Sequence, residues 1–179
     1  MTASRIINRR GVDGASLDDI TGALGATKGA FYHYFKTKTE LMVGCYRRAF
    51  DLYERFADAA EALGRDGLEK GLIGLHLNVQ AHAGGLSPLI QMVGVEALPP
   101  TVRREIRRRA RALQRRFSAF AQQGLAEGVH RPLDLDALAQ LGAGVFQWLP
   151  KWFDPADPRA GAALSREYGR LFISGLRRR

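Results

Sequence analysis

Residues 28–38 bring together side chains suited to a double-helical polyanion. Lys28 offers an ammonium group to guanine acceptors, and Ala30 offers a methyl group to thymine. His33 carries ring nitrogens at the same level of a helix. Tyr32, Tyr34 and Lys38 have donors for phosphate oxygens, contacts that position a protein without reading sequence. Gly29 has no side chain and lets a backbone approach closely. Phe31 and Phe35 are four residues apart and share a face, so they are expected to bury together with Ile20 and Leu24. Lys36 reads equally well as a plain solvated lysine. Other chemistry has little footing. His33, His76, His82 and His130 lack metal-ligand spacing, Cys45 falls on an apolar stripe, and neither a phosphate-binding glycine loop nor a Ser/His/Asp arrangement can be traced. No enzyme activity, metal or cofactor is expected.

These groups need a short helix held against a second one. Ser16 stands three residues before Asp19, a capping-box spacing, and Leu17, Ile20 and Leu24 follow on one face with Gly25 as a candidate C-cap. Thr27 caps the next short helix, Lys28 to Tyr34. Two helices of about two turns around a glycine turn form a helix-turn-helix. Ahead of them, Ile6 and Ile7 belong to a stub of helix ending at Arg10-Gly11. Behind them, apolar residues recur at helical spacing. A long helix runs from Lys38 to a stop at Gly64, and a second spans about 66–83. A short one opens at Ser87-Pro88, and an Arg-rich one runs from Pro99-Pro100 to about 127. Two more cover about 134–149, ending at Pro150, and 160–177. The expected fold is all-α, an N-terminal three-helix domain (1–45) followed by a helical bundle (46–179).

The run Gly11, Ser16-Leu17-Asp18-Asp19-Ile20, Leu24 to Lys38 and Glu40-Leu41 closely resembles the DNA-binding domain of TetR-family transcriptional regulators, over about residues 3 to 48. The resemblance implies DNA contact by Ser16, Thr27, Lys28, Gly29, Ala30, Tyr32, His33, Tyr34 and Lys38. It also implies a C-terminal domain with a ligand pocket and a dimer interface, and an inverted-repeat operator. Two departures stand out: only ten residues precede Gly11, and Ile7 stands where Phe is common. Either the start is late or a basic arm is absent, and the second would remove phosphate contacts.

The segment Trp148-Leu149-Pro150-Lys151-Trp152-Phe153-Asp154-Pro155, with Tyr168 and Gly175-Leu176, is similar to the C-terminus of TetR-type regulators of fatty-acid and steroid degradation, several of which sense acyl-CoA thioesters. The expected effector is therefore apolar, with an acyl-CoA first among options, and the expected action is repression relieved by that effector. Candidate lining residues are His76, Gln80, Gln91, Phe120, Phe146, Trp148 and Trp152, bulky walls with a few hydrogen-bonding tips. Gly142, Ala143, Gly144 and Gly175 are small enough for helices to meet across a homodimer axis. The arginines of residues 103–116 suit phosphates or a plain solvated face. The alternatives are a regulator of drug efflux or aromatic catabolism and a basic all-α adaptor. A net charge of +9, from 27 Lys and Arg against 18 Asp and Glu, favours a polyanionic partner. One cysteine excludes an internal disulfide, and no apolar run reaches the roughly 20 residues that span a bilayer. A cytoplasmic protein with no membrane partner is expected.

Overall fold

The structure, a computed structural model, describes residues 2–84, 86, 94–153 and 158–178; the side chains of Val12, Phe146, Gln147, Pro150, Lys151 and Pro158 are not described. Eight α-helices follow one another among the described residues. They are α1 (Thr2–Gly14), α2 (Leu17–Ala23), α3 (Lys28–Tyr34), α4 (Lys38–Leu63), α5 (Gly67–Ala83), α6 (Pro100–Ala126), α7 (Leu135–Trp152) and α8 (Pro158–Leu176). An antiparallel bridge, His130 to Arg177, ties the end of α8 to the α6–α7 connection.

Local signals set most boundaries. The Ser16 hydroxyl accepts the Asp19 N–H at 3.0 Å, and the Asp19 carboxylate accepts the Ser16 N–H at 3.0 Å. Thr27 and Thr37 cap α3 and α4 by accepting the Ala30 and Glu40 N–H groups, each at 3.1 Å. At the end of α2, Gly25 turns left-handed (φ 61°). Its N–H reaches the Gly22 carbonyl, and the Ala26 N–H reaches back to Thr21 at 2.9 Å. This paired closure needs a residue tolerant of positive φ.

Three boundaries differ from the sequence expectation. The first helix does not stop at Gly11: it kinks there (φ 75°) and continues to Gly14. α7 passes through Pro150 to Trp152, because a proline in the last turn removes one N–H bond while the Phe153 N–H still reaches the Leu149 carbonyl at 3.0 Å. Most of the helix expected after Ser87 lies outside the described residues; its end is a 3₁₀ turn, Val95–Ala97.

One apolar core joins the two ends of the molecule. It combines Ile7 of α1, Tyr46, Phe50 and Tyr53 of α4, Val95 and Leu98, and Ile106 and Leu113 of α6. A smaller cluster of Ala3, Ile20, Phe31 and Leu41 holds α1, α2 and α3 on the start of α4. A third, of Leu75, Val79, Leu149 and Phe153, joins α5 to α7 with Leu164, Tyr168 and Phe172 of α8 against it. Ion pairs tie α4 to α6: Arg47 to Glu105 at 2.8 Å, Arg109 to Asp51 and Glu54 at 2.6 and 2.9 Å, and Arg116 to Asp58 and Glu61, each at 2.8 Å. His82 is buried on α5, and burial lowers its pKa to about 4, so its ring is neutral.

Candidate DNA-binding surface and internal cavity

α3 presents one face inward and the rest to solvent. Phe31 is buried, with its ring centroid 5.7 Å from that of Phe35, so the inward pair forms as expected. Leu24 does not join it. As the C-cap of the seven-residue α2 it is turned outward and is half exposed. Tyr32, His33 and Tyr34 are exposed, as are Lys28, Gly29 and Ala30. Lys38, at the first turn of α4, is half-buried. α2 and α3 thus offer a contiguous polar and aromatic surface at one end of the chain.

Several of the expected contact residues already have polar partners, Ser16, Thr27 and Lys28 among them. The Ser16 hydroxyl donates to the Asp19 carboxylate at 2.6 Å while accepting that residue's N–H, so its hydrogen-bonding capacity serves the cap. That hydroxyl, joined by Arg10 at 2.6 Å, holds the Asp19 pKa down at about 2. The Lys28 ammonium lies 2.7 Å from the Asp18 carboxylate, which raises the lysine pKa. Both partners are exposed, and such pairs are worth little in water, so Lys28 can exchange Asp18 for another anion.

Further along the chain, α5 and α6 run antiparallel and very close. Gly67 lies against the backbone of Phe120 and Gly124, where any Cβ would overlap. Lys70 Nζ donates to Gln123 Oε1 at 2.9 Å, and Gly74 lies against the Phe117 ring. Beside this contact, α4, α5, α6, α7 and α8 enclose a cavity of about 590 Å³, within the range of small-molecule sites. Its walls are mainly apolar, including Tyr53, Phe56, Leu68, Leu72, Leu75, Leu113, Phe117, Leu135, Leu138 and Phe172. Its polar groups are Asn78, Arg107, Arg111, Gln114, Ser118, Gln140 and His130.

Of the seven residues expected to line a pocket, the five whose side chains are described, His76, Gln80, Phe120, Trp148 and Trp152, do not line this one. On α5 the cavity face runs through Leu68, Leu72, Leu75 and Asn78; at 100° per residue His76 and Gln80 point away from it. His76 is exposed and its Nδ1 is 2.6 Å from Ser165 Oγ. Phe120 is buried under the Lys70 ammonium, 5.9 Å from the ring centroid. Trp148 and Trp152 are exposed on the outer side of α7, in phase with Leu141. Gln91 and the Phe146 side chain lie outside the described residues. Gly142 and Ala143 line the cavity. What sequence reasoning missed was Asn78, Gln114 and His130, while Arg111 was among the arginines read as suited to phosphates. A faint signal existed in Gly67, Gly71 and Gly74, which thin the apolar stripe of α5 where space is needed.

The eight arginines of residues 103–116 divide into two sets. Arg103 and Arg107 pair with Glu96, and Arg109 and Arg116 pair with α4. Arg104, Arg108, Arg111 and Arg115 are exposed and have no ion-pair partner among the described residues. Their spacing of four, three and four places them on one face of α6, with Arg111 at the cavity wall.

Comparisons with known proteins agree with this layout. Residues 2–45 match the family model described as bacterial regulatory proteins, tetR family, and residues 70–176 match the tetracyclin repressor-like C-terminal domain. The Transposon Tn10 TetC protein of Escherichia coli is 38% identical over 47 residues, 26% of this chain and 24% of that protein, so the chain spans about a quarter of its length there. The HTH-type transcriptional repressor KstR2 of Mycolicibacterium smegmatis is 25% identical over 97% of this chain and 86% of its own. The structure of the ketosteroid transcriptional regulator KstR2 of Mycobacterium tuberculosis superposes with a TM-score of 0.83 at 19% identity, over 99% of this chain and 92% of that one. AibR in complex with isovaleryl coenzyme A and operator DNA gives 0.75 at 24% identity, over 96% and 95%. No helix among the described residues is long and apolar enough to cross a membrane. With a family model covering most of the chain beyond α4 and another covering α1 to α3, the chain belongs to the TetR family of DNA-binding transcriptional regulators, which are not enzymes.

Proposed function

We propose that this regulator binds an inverted-repeat operator as a homodimer, represses transcription by occupying it in the cytoplasm, and releases it when an acyl-CoA or related lipid metabolite enters the cavity. Residues 1–45 would bind DNA, with Lys28, Ala30 and His33 at base edges, Tyr32, Tyr34 and Lys38 at phosphates, and Gly29 and Thr27 where the backbone approaches. Residues 46–179 would bind the effector and the second protomer. The exposed apolar residues Leu141, Trp148 and Trp152 of α7 and Leu171 of α8 supply a surface of the kind that marks protein contacts.

The observation that carries the effector reading is a mainly apolar cavity with Arg111, one of a row of four exposed arginines on α6, at its wall. An acyl chain fills the first, and the phosphates of coenzyme A suit the second. Asn78 adds to this. It is 8% exposed at the cavity wall, and its Oδ1 has no hydrogen-bond partner among the described residues. That oxygen is covered by protein atoms, so an amide N–H of a pantetheine arm would reach it only once the Asn78 side chain turns toward the cavity. AibR, described with isovaleryl coenzyme A, and KstR2, described as a ketosteroid regulator, keep company with this reading.

α4 is the route from cavity to operator. Its Tyr53 and Phe56 line the cavity, while its Leu41 packs on Phe31's cluster. A ligand that releases DNA must bind the DNA-free form more tightly, by the factor by which it weakens operator affinity. Fluorescence anisotropy of labelled upstream DNA tests this. Medium-chain acyl-CoAs are expected to weaken operator affinity at least about tenfold, at the usual scale of such couplings, and the free acids to do less. Acyl-CoAs that stabilise the protein yet leave operator affinity unchanged would refute the effector role. A response confined to aromatic or cationic compounds would favour drug or aromatic-catabolism sensing.

A further inference from the structure

The glycines of α5 and α7 are of two kinds. A glycine inside a helix is less stable than an alanine there, because more backbone freedom is lost on ordering it. Gly67 and Gly74 of α5 have a packing reason to be glycine. A Cβ on Gly67 would overlap the backbone of Phe120 and Gly124, and one on Gly74 would overlap the Phe117 ring. Gly71 lies between them on the same face of α5 and has no such reason: a Cβ there would meet no atom within 4 Å. Gly142, in the middle of α7, is alike in this. Neither has a positive φ, so the backbone does not require glycine at either position. Both are half-buried, and both line the cavity. A side chain at either position would therefore take its room from the cavity. Their neighbours in the wall are small as well. Between the two close contacts α6 brings Ser118 and Ala121 to the cavity, and α7 brings Ala139 and Ala143.

We infer that Gly71 and Gly142 set the width of the cavity, and that the part of the effector lying against them is a carbocyclic ring, broader than a single polymethylene chain. A straight chain leaves the space at both glycines empty, and wall atoms that face a void lose their dispersion contacts on that side. A ring spreads its carbons across the width and restores those contacts. The walls carry the guanidinium groups of Arg107 and Arg111 and, among the described residues, no carboxylate, which suits an anionic head on such an apolar body. This rests on the reading of the cavity as the site of an acyl thioester effector. It goes further in naming the two residues that select the shape of the acyl group. Apolar pockets discriminate by fit, by about tenfold or more for a misfit of methylene size.

Calorimetric titration of the full chain with dodecanoyl-CoA and 6-cyclohexylhexanoyl-CoA tests the inference. The two acyl groups have the same number of carbons and differ in shape. The expected preference is about tenfold for the ring-bearing thioester. Gly71→Leu and Gly142→Leu each fill the space with a side chain. Each is expected to bring the ratio of the two affinities to one or below, while dodecanoyl-CoA binding stays close to that of the parent. Where leucine excludes both ligands, the ratio is read in Gly71→Ala and Gly142→Ala, and it is expected to fall there too. The alanine variants are also expected to melt at a higher temperature than the parent, since alanine is the better helix former and its methyl group meets no neighbour. Equal affinity of the parent for the two thioesters, or a preference that survives in all four variants, overturns the inference and leaves the effector reading standing. A lower melting temperature in both alanine variants also overturns it, because the space would then not be there. Binding of neither thioester by the parent overturns both.

Discussion

Operator affinity is expected to fall about a thousandfold when salt is raised from 50 to 200 mM. Three lysines per protomer, Lys28, Lys36 and Lys38, lie on or beside the α2–α3 surface, making six in a dimer. At about 0.9 counterions released per phosphate neutralised, the slope of log affinity against log salt is near −5. Lys36→Gln should lower that slope by about 2 per dimer and weaken every DNA sequence alike. Lys28 behaves differently because it must leave Asp18, 2.7 Å away, before it reaches DNA. Asp18→Asn should therefore tighten binding, both by freeing the lysine and by removing a carboxylate that faces phosphates. Salt-dependent anisotropy of the parent and the two variants measures all three effects. A slope near zero would show that the surface carries no phosphate contacts.

The largest loss of stability is expected from Phe50→Ala, about 3–5 kcal/mol. Phe50 is fully buried at the centre of the core that joins α1, α4 and α6. The Arg109 guanidinium sits 5.4 Å from its ring centroid while pairing with Asp51 and Glu54. Truncation removes the ring's burial and leaves a cavity beneath a charged group that no longer has a π face. At fixed protein concentration the melting temperature should drop by roughly 10 °C, at about 2–4 °C per kcal/mol for a chain of this size. Leu63→Ala, at an exposed residue near the end of α4, should stay within about 0.5 kcal/mol. Urea unfolding monitored by circular dichroism distinguishes the two. Equal losses in both variants would contradict the placement of the core.

How much of this could be read in advance depended on whether the cause was local. The limits of α3 follow from Thr27, which caps it, and from the aromatic pair Phe31 and Phe35, all within nine residues. Ser16, Asp19 and Gly25 likewise act on near neighbours, so α2 was legible. The exposure of Leu24 was not, because its apolar spacing fits the α2 face while the paired turn at Gly25 swings it outward. The cavity was harder still. Its lining depends on the phase of α5 relative to α7 and on the register in which Gly67 meets Gly124, a contact between residues 57 positions apart. A period of 3.6 locates an apolar stripe but does not say which residues at its margin face a space. That is why His76 and Gln80 were expected where Asn78 is found, and why the tryptophans of α7 were expected inside when they lie outside. His130 belongs to no helix, so no periodicity pointed to it. Of the arginines, sequence could count eight but could not separate the four paired with Glu96 and α4 from the four left unpaired.

The central claim is that α2 and α3 of two protomers read a two-fold symmetric operator. Footprinting of the gene's own upstream DNA, combined with sedimentation of the complex, tests it most directly. The account predicts two protected half-sites related by a dyad, with centres about 34–36 Å apart or a multiple of that. It also predicts that protection is lost in Tyr32→Ala and that the sedimenting species contains an even number of protomers. A monomer in solution together with no protection of that DNA at 50 mM salt would contradict it.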